Sequence, residues 1–159
     1  MAKRVIEGTV YLDDETTVGA FLNEIGPASE IAVDTEGGLI VPVLRNVGER
    51  DASDLRAGLD RMRADAQARS IPPEELRGAT ITLSNFGMIG GRFANLIVVP
   101  PQVAIVGAGR IDDRMLVHNG APAVRRVLPL SLTFDHRAVT GGEAARFLMT
   151  LKINLEKIS

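Results

Sequence analysis

The run Leu128-Pro-Leu-Ser-Leu-Thr-Phe134 stops abruptly at Asp135-His136-Arg137, and this junction constrains the fold more than any other stretch of the chain. Apolar residues dominate the seven before it, as in a buried strand. After it comes a short turn with Gly141 and Gly142, and then Ala144, Phe147, Leu148, Leu151, Leu155 and Ile158, whose spacing makes one stripe of a helix. Such a helix packs on the sheet that holds the strand, and so fixes the turn between them. His136 is thereby held firmly on one side and open on the other. That position suits a general base. For a lone histidine the bland alternative, a satisfied residue at a strand end, is the commoner outcome, and the flanking residues are what shift the balance.

Composition bounds the partners. The 159 residues suggest one domain spanning 1–159. The chain is 45% hydrophobic but only 4% aromatic, so its core must be aliphatic. Eighteen basic against 20 acidic residues leave a net charge of −2, which recommends neither nucleic acid nor an anionic membrane as partner. The absence of cysteine excludes disulfides, thiolate metal sites and a cysteine nucleophile; no metal is expected, and a cytoplasmic location fits. No apolar run approaches the ~20 residues that span a bilayer, and the N-terminus lacks an apolar segment of signal-peptide type.

Along the chain, Arg4 to Leu12 reads as a strand, and Val18, Phe21, Leu22 and Ile25 form a helical stripe ended by Gly26-Pro27. Glu30 to Arg45 holds two apolar runs around Glu36-Gly37-Gly38, a hairpin pattern, with Pro42 marking an edge or irregular strand. Asp34 is assigned a structural place in its turn. Asp51 is an N-cap candidate for a helix whose apolar positions are Ala52, Leu55, Leu59, Met62 and Ala66. Ile71-Pro72-Pro73 breaks it. Thr80 to Phe86 alternates as a strand ending in Ser84-Asn85-Phe86-Gly87. Val103 to Gly109 is a further strand. Its Gly107-x-Gly109 is not a dinucleotide fingerprint, because Asp112 occupies the third glycine position and a strand follows where a phosphate-binding helix is required. Met115 to Val117, a turn at His118-Asn119-Gly120, and Ala123 to Phe134 read as a hairpin with a long second strand.

Asp135-His136-Arg137, the glycine at His+5 and Ala-Ala-Arg-Phe-Leu148 together resemble the active-site signature of the dihydrolipoamide acyltransferases, the core components of 2-oxoacid dehydrogenase complexes. The segment Ala32-Val-Asp-Thr35 with Gly38-Leu-Ile-Val-Pro-Val43, the Ser84-x-x-Gly87 turn, and Pro100-Pro-Gln102 before a strand resemble the same family, in its order. The resemblance covers residues 30–151 and leaves 1–29 unrecognised. It implies an α/β fold, a mixed β-sheet with packed helices, similar to chloramphenicol acetyltransferase but reduced. It implies His136 as base and Ser84 as oxyanion donor, with Thr140 at the position where the family often has Asp or Asn. Thr140 keeps hydrogen-bonding capacity but not the charge. Asp135, Arg137, Gly141, Asn85 and Gly87 are the supporting residues.

The resemblance further implies coenzyme A as a substrate, a lipoyl group carried on a separate domain, and a homotrimer or larger cage whose sites combine His136 of one copy with Ser84 of its neighbour. A thiol with a pKa near ~8.5 and an imidazole near ~6.5 are matched for proton transfer at neutral pH. A serine hydrolase is disfavoured, because there is no Gly-x-Ser-x-Gly elbow. Family catalytic domains carry a longer segment before residue 30 and an apolar C-terminal tail. A chain shortened at these places is compatible with a second reading, a non-catalytic trimerising scaffold that has lost its channel.

Overall fold

The computed structural model describes residues 3–12, 30–35, 41–87 and 89–158, with side chains for 41–87 and 89–157. In chain order the elements are β1 (Lys3–Leu12), β2 (Glu30–Thr35), β3 (Val43–Arg45), α1 (Ala52–Ala68), β4 (Ile81–Asn85), β5 (Ala104–Ala108), β6 (Asp112–His118), β7 (Ala121–Asp135) and α2 (Gly141–Ile158), with short 3-10 turns at Val47–Glu49 and Pro73–Leu76. All seven described strands join one mixed sheet in the order β1-β7-β5-β4-β2-β3, and β6 pairs the first half of β7. β4 runs parallel to β2 and β5, while β7 is antiparallel to β1, β5 and β6. The sheet is the α/β arrangement expected from the sequence.

The register sorts side chains onto two faces, because alternate residues of a strand point to opposite sides. Ile81 pairs Ala104 and Ala104 pairs Phe134; Leu83, Val106 and Leu132 form the next such row. These residues share one core with Leu55, Leu59 and Met62 of α1 and Leu148, Leu151 and Leu155 of α2. Both helices therefore cover the same face. Each such fully buried aliphatic side chain contributes on the order of 1.5–3 kcal/mol, which makes this face the main source of stability.

The opposite face is built differently. Its rows are Thr82–Ile105–Thr133 and Ser84–Gly107–Ser131. The four hydroxyl residues are buried, although neither described helix lies over them. The segment after β4 covers part of this face. The Ala94 N–H donates to Ser131 Oγ at 3.2 Å, and the Thr82 hydroxyl donates to the Gln102 side-chain oxygen. Gly107 has a packing reason to lack a side chain: a Cβ there would stand 2.6 Å from Leu96 and 2.8 Å from Phe86.

Several sequence expectations need correction. Asp34 lies inside β2, paired with Ser84, rather than in a turn, because the ladder runs on to Thr35. Gly141 opens α2 rather than belonging to the turn before it. His118 is the last residue of β6, and its Nε2 lies 3.0 Å from Arg125 Nη2. On α1, Ala52 is exposed and Gly58 is buried instead, since Leu44 and Arg50 fill the space of its missing side chain. Asp51 caps α1 as expected, accepting from the Asp54 N–H at 2.9 Å. The stripe Val18–Ile25 and the Glu36–Gly38 turn lie outside the described residues. The pairing Glu30↔Arg45 nevertheless makes β2 and β3 the expected antiparallel pair.

Beyond β4 and β5, backbone meets backbone. A Cβ at Gly109 would lie 2.1 Å from the Arg92 carbonyl oxygen, and one at Gly87 would lie 2.3 Å from the Gly109 carbonyl oxygen. Neither obstacle is a flexible side chain. Gly109→Ala is expected to cost at least ~1–3 kcal/mol, as overpacking does, seen as a lower denaturant midpoint at unchanged slope. An unchanged midpoint would contradict this packing.

Candidate active site

His136 stands one residue beyond the end of β7 and is exposed. The turn that carries it is fixed by its backbone. The N–H groups of Ala138 and Val139 both donate to the Asp135 carbonyl at 3.0 Å, and the Asp135 N–H donates to the Val103 carbonyl at 2.9 Å. Below the imidazole lies the ring of Phe134, 1% exposed, with centroids 5.7 Å apart and planes tilted by 38°. No hydrogen bond orients the imidazole among the described residues.

The flanking carboxylate is turned away from the histidine. Asp135 accepts from the Arg137 side chain, Nη2 at 2.5 Å and Nε at 3.0 Å, and from the Arg137 N–H at 3.0 Å. These bonds, the guanidinium first and the backbone N–H next, pull the Asp135 carboxyl down to about 2. A Ser-His-Asp relay through Asp135 is thus not what this turn builds. Asp135 and Arg137 instead clamp the two sides of the histidine to each other.

Thr140 is the N-cap of α2. Its hydroxyl donates to Glu143 Oε2 at 2.7 Å and accepts from the Glu143 N–H at 3.3 Å, while the Thr140 N–H donates back to Glu143 Oε2 at 2.8 Å. This is a reciprocal capping box. The same bonds, with the hydroxyl's first, hold the Glu143 carboxyl below its ordinary range. Glu143 was missed in the sequence reading, although Thr-x-x-Glu before an apolar stripe is a legible signal. Gly141 has open space where a side chain would be.

Ser84 is elsewhere. It lies inside β4, 6% exposed, on the face opposite the helices. Asn85 Oδ1 accepts from the Gly87 N–H at 3.3 Å, and the N–H groups of Phe86 and Gly87 both donate to the Ala108 carbonyl. The supporting residues Asn85 and Gly87 therefore pin the turn after Ser84 to β5. Ser84 pairs Gly107, Gly107 pairs Ser131, and His136 is five residues further along β7. Two strand spacings sideways and five residues lengthwise put Ser84 roughly 19 Å from His136 within one chain. His136, Asp135, Arg137, Thr140 and Gly141, from the end of β7 to the start of α2, and Ser84, Asn85 and Gly87, at the end of β4, are two separate constellations. Among the described residues no group of three or more His, Cys, Asp or Glu could hold a metal ion.

The clamp has a pH signature. A carboxyl held low stabilises the fold above its unfolded value near ~3.9, and that contribution is lost as pH falls through about 2. Asp135→Asn is expected to lower the melting temperature at pH 7 and to remove the part of the parent's acid destabilisation that falls between about pH 4 and pH 2. Parallel melting curves of the two proteins across that window would contradict the clamp.

Residues 29–159 match the family model described as 2-oxoacid dehydrogenases acyltransferase (catalytic domain). The chain is 38% identical over 126 residues to the dihydrolipoyllysine-residue succinyltransferase component of the 2-oxoglutarate dehydrogenase complex of Azotobacter vinelandii, which covers 79% of this chain and 32% of that protein. It is 40% identical over 131 residues to the dihydrolipoyllysine-residue acetyltransferase component of the pyruvate dehydrogenase complex of Mycobacterium bovis, covering 79% and 24%. The chain thus spans a quarter to a third of these relatives. The crystal structure of Azotobacter vinelandii dihydrolipoamide acetyltransferase is similar with a TM-score of 0.85 at 26% identity, over 99% of this chain and 82% of that one. Chloramphenicol acetyltransferase, at a TM-score of 0.55 and 12% identity over 98% and 84%, shares the fold. Sequence, sheet topology and these likenesses agree that the chain belongs to the family of 2-oxoacid dehydrogenase acyltransferase catalytic domains.

Proposed function

We propose that this chain moves an acyl group between dihydrolipoamide and coenzyme A in the core of a 2-oxoacid dehydrogenase complex, at a site shared by neighbouring copies. The observation that carries the proposal is the placement of one exposed imidazole at a rigid strand end, roughly 19 Å from the serine of the same chain. The Azotobacter acetyltransferase structure was determined to investigate a serine, a histidine 52 residues after it and an asparagine four residues further on, all in catalysis. Ser84, His136 and Thr140 have the same spacing. A neighbouring copy must then bring its Ser84 to this His136.

In the proposed step His136 takes the proton of the incoming thiol, whose sulfur attacks the thioester carbonyl. The Ser84 hydroxyl of the adjoining copy donates to the oxygen on which negative charge develops. Collapse of the tetrahedral species expels the other sulfur, which recovers the proton from the imidazolium. Coenzyme A and a lipoyl group on a separate domain are the two thiols. Assembly as a homotrimer or larger cage, in a cytoplasmic setting, completes the reading. Two observations support the assembly. The structure of the cubic core of the pyruvate dehydrogenase multienzyme complex is similar at a TM-score of 0.84 and 26% identity. Ile97, Val99, Met115, Val117 and Val124 are each at least 60% exposed, apolar surface of the kind that marks an interaction site.

The test is acyl transfer between acetyl-dihydrolipoamide and coenzyme A. His136→Ala is expected to lower kcat by roughly 10²–10⁴ and Ser84→Ala by roughly 10²–10³. Mixed trimers assembled from the two inactive variants should regain about one quarter of the parent activity, because one interface in four then pairs an intact histidine with an intact serine. No regain on mixing would place the two residues in one-chain sites and sink the shared geometry. A parent rate equal to that of His136→Ala would instead favour the non-catalytic scaffold.

A further inference from the structure

His136 rides on a turn that leaves β7 at Asp135 and enters α2 at Gly141. The entry is fastened by Asp135, whose carbonyl takes the N–H groups of Ala138 and Val139. The exit is the Val139–Thr140 peptide. Val139 packs against the main core, which holds one end of that peptide. At the other end is the Thr140 N–H, and its partner is a side chain of the helix: it donates to Glu143 Oε2 at 2.8 Å. Among the described residues no backbone carbonyl takes this N–H. Glu143 thus reaches back from α2 into the turn that carries the imidazole.

The hydroxyl of Thr140 is committed as well. A threonine hydroxyl has one proton to give and two lone pairs to offer. The proton goes to Glu143 Oε2 at 2.7 Å, and one lone pair takes the Glu143 N–H at 3.3 Å. A single lone pair is left, on an exposed residue. Thr140 can therefore accept one further hydrogen bond and has none to donate. The bonds into the carboxylate are charge-assisted, because they keep the Glu143 carboxyl below its ordinary range and so ionised. The Arg146 charge favours the same ionised form. Among the described residues it makes no hydrogen bond that would draw the carboxylate off Thr140.

An amide side chain at this place could turn an N–H outward; Thr140 held by Glu143 cannot. The group four residues past the histidine thus has its hydrogen-bonding sense set by a residue three further on. We propose that Glu143 is a positioning residue for the transfer step: by holding both the N–H and the hydroxyl proton of Thr140, it sets the exit of the His136 turn and presents Thr140 to the thiol substrate as an acceptor. The role in transfer rests on the acyl-transfer reading; the hold on the turn does not.

Transfer rates of variants, taken well below every melting temperature, separate positioning from stability. Glu143→Ala should lower kcat roughly tenfold with little change in KM. Glu143→Gln, whose side-chain oxygen accepts the same two bonds, should stay within about threefold of the parent. Glu156→Ala breaks the Lys152–Glu156 pair at 3.4 Å on the same helix and should leave kcat unchanged. Thr140→Val should cost roughly tenfold, and adding Glu143→Ala to it should cost much less than in the parent background. Full kcat in Glu143→Ala or in Thr140→Val overturns the proposal. So do equal losses in the Ala and Gln variants, or an undiminished loss in the Thr140→Val background. Amide hydrogen exchange reads the hold without any enzyme assay. The Thr140 N–H should exchange about tenfold faster in Glu143→Ala than in the parent or in Glu143→Gln; equal rates overturn the hold. A parent without transfer activity refutes the acyl-transfer reading, while exchange still decides whether Glu143 holds the turn.

Discussion

The structure depends on how β7 is buried. Residues Val127 to Phe134 are all buried, yet they alternate in chemistry: Leu130, Leu132 and Phe134 on one face, Ser131 and Thr133 on the other. The apolar face takes both helices. The hydroxyl face takes a loop and small side chains, and Phe86 and Leu96 occupy the space that a side chain at Gly107 would need. Apolar burial is non-directional and tolerates shifts, whereas the hydroxyl row depends on specific partners such as Ala94 N–H on Ser131 Oγ. One strand therefore supplies bulk stability on one side and positional precision on the other. Its last residue, Asp135, passes that rigidity to the histidine turn.

Much of this was legible because it is local. The stripe Leu148, Leu151, Leu155 announces α2 by period, Asp51 announces the start of α1 by cap chemistry, and the apolar run before His136 announces a buried strand. The Thr140–Glu143 box is equally local, since Thr-x-x-Glu ahead of an apolar stripe is a capping signature. What a sequence does not print is register. Nothing in Ser84-Asn85-Phe86-Gly87 says that its strand pairs β5 at Gly107, and hence that Ser84 lies far from His136. The same holds for Asp34, whose small polar side chain beside a Gly-Gly pair looks like a turn until the ladder places it opposite Ser84. Gly58 hides for a related reason: its burial is set by Leu44 and Arg50, distant neighbours that helical periodicity does not see.

Thr140 shows how a departure at one position can be absorbed next door. A carboxylate or amide four residues after the histidine has reach and, for Asp, charge. A threonine has one hydroxyl, and here that hydroxyl both donates to and accepts from Glu143. The bonds satisfy donors at the helix start that would otherwise lack partners, a contribution of typically about 1 kcal/mol. They also fix the exit of the turn, as the Asp135–Arg137 clamp fixes its entry. Among the described residues the imidazole makes no hydrogen bond, and it rests against Phe134. The turn thus has a fixed backbone on both sides and an exposed ring between them.

The two faces of the sheet differ in what covers them. The described helices α1 and α2 lie on the apolar face, away from Ser84. Among the described residues the other face is covered by the segment after β4, which leaves Ile97 and Val99 largely bare. In the shared site proposed above, a second protein surface laid there would cover apolar groups at the same time as it meets the hydroxyl row, so association and site assembly would draw on one event. A chain that kept Ser84 beside its own His136 would need another register as well as another strand order: the five-residue offset along β7 is by itself roughly 16 Å, and β5 stands between β4 and β7 by hydrogen bonds on both edges. Register and strand order together impose the separation, and no side-chain adjustment within one copy can undo it.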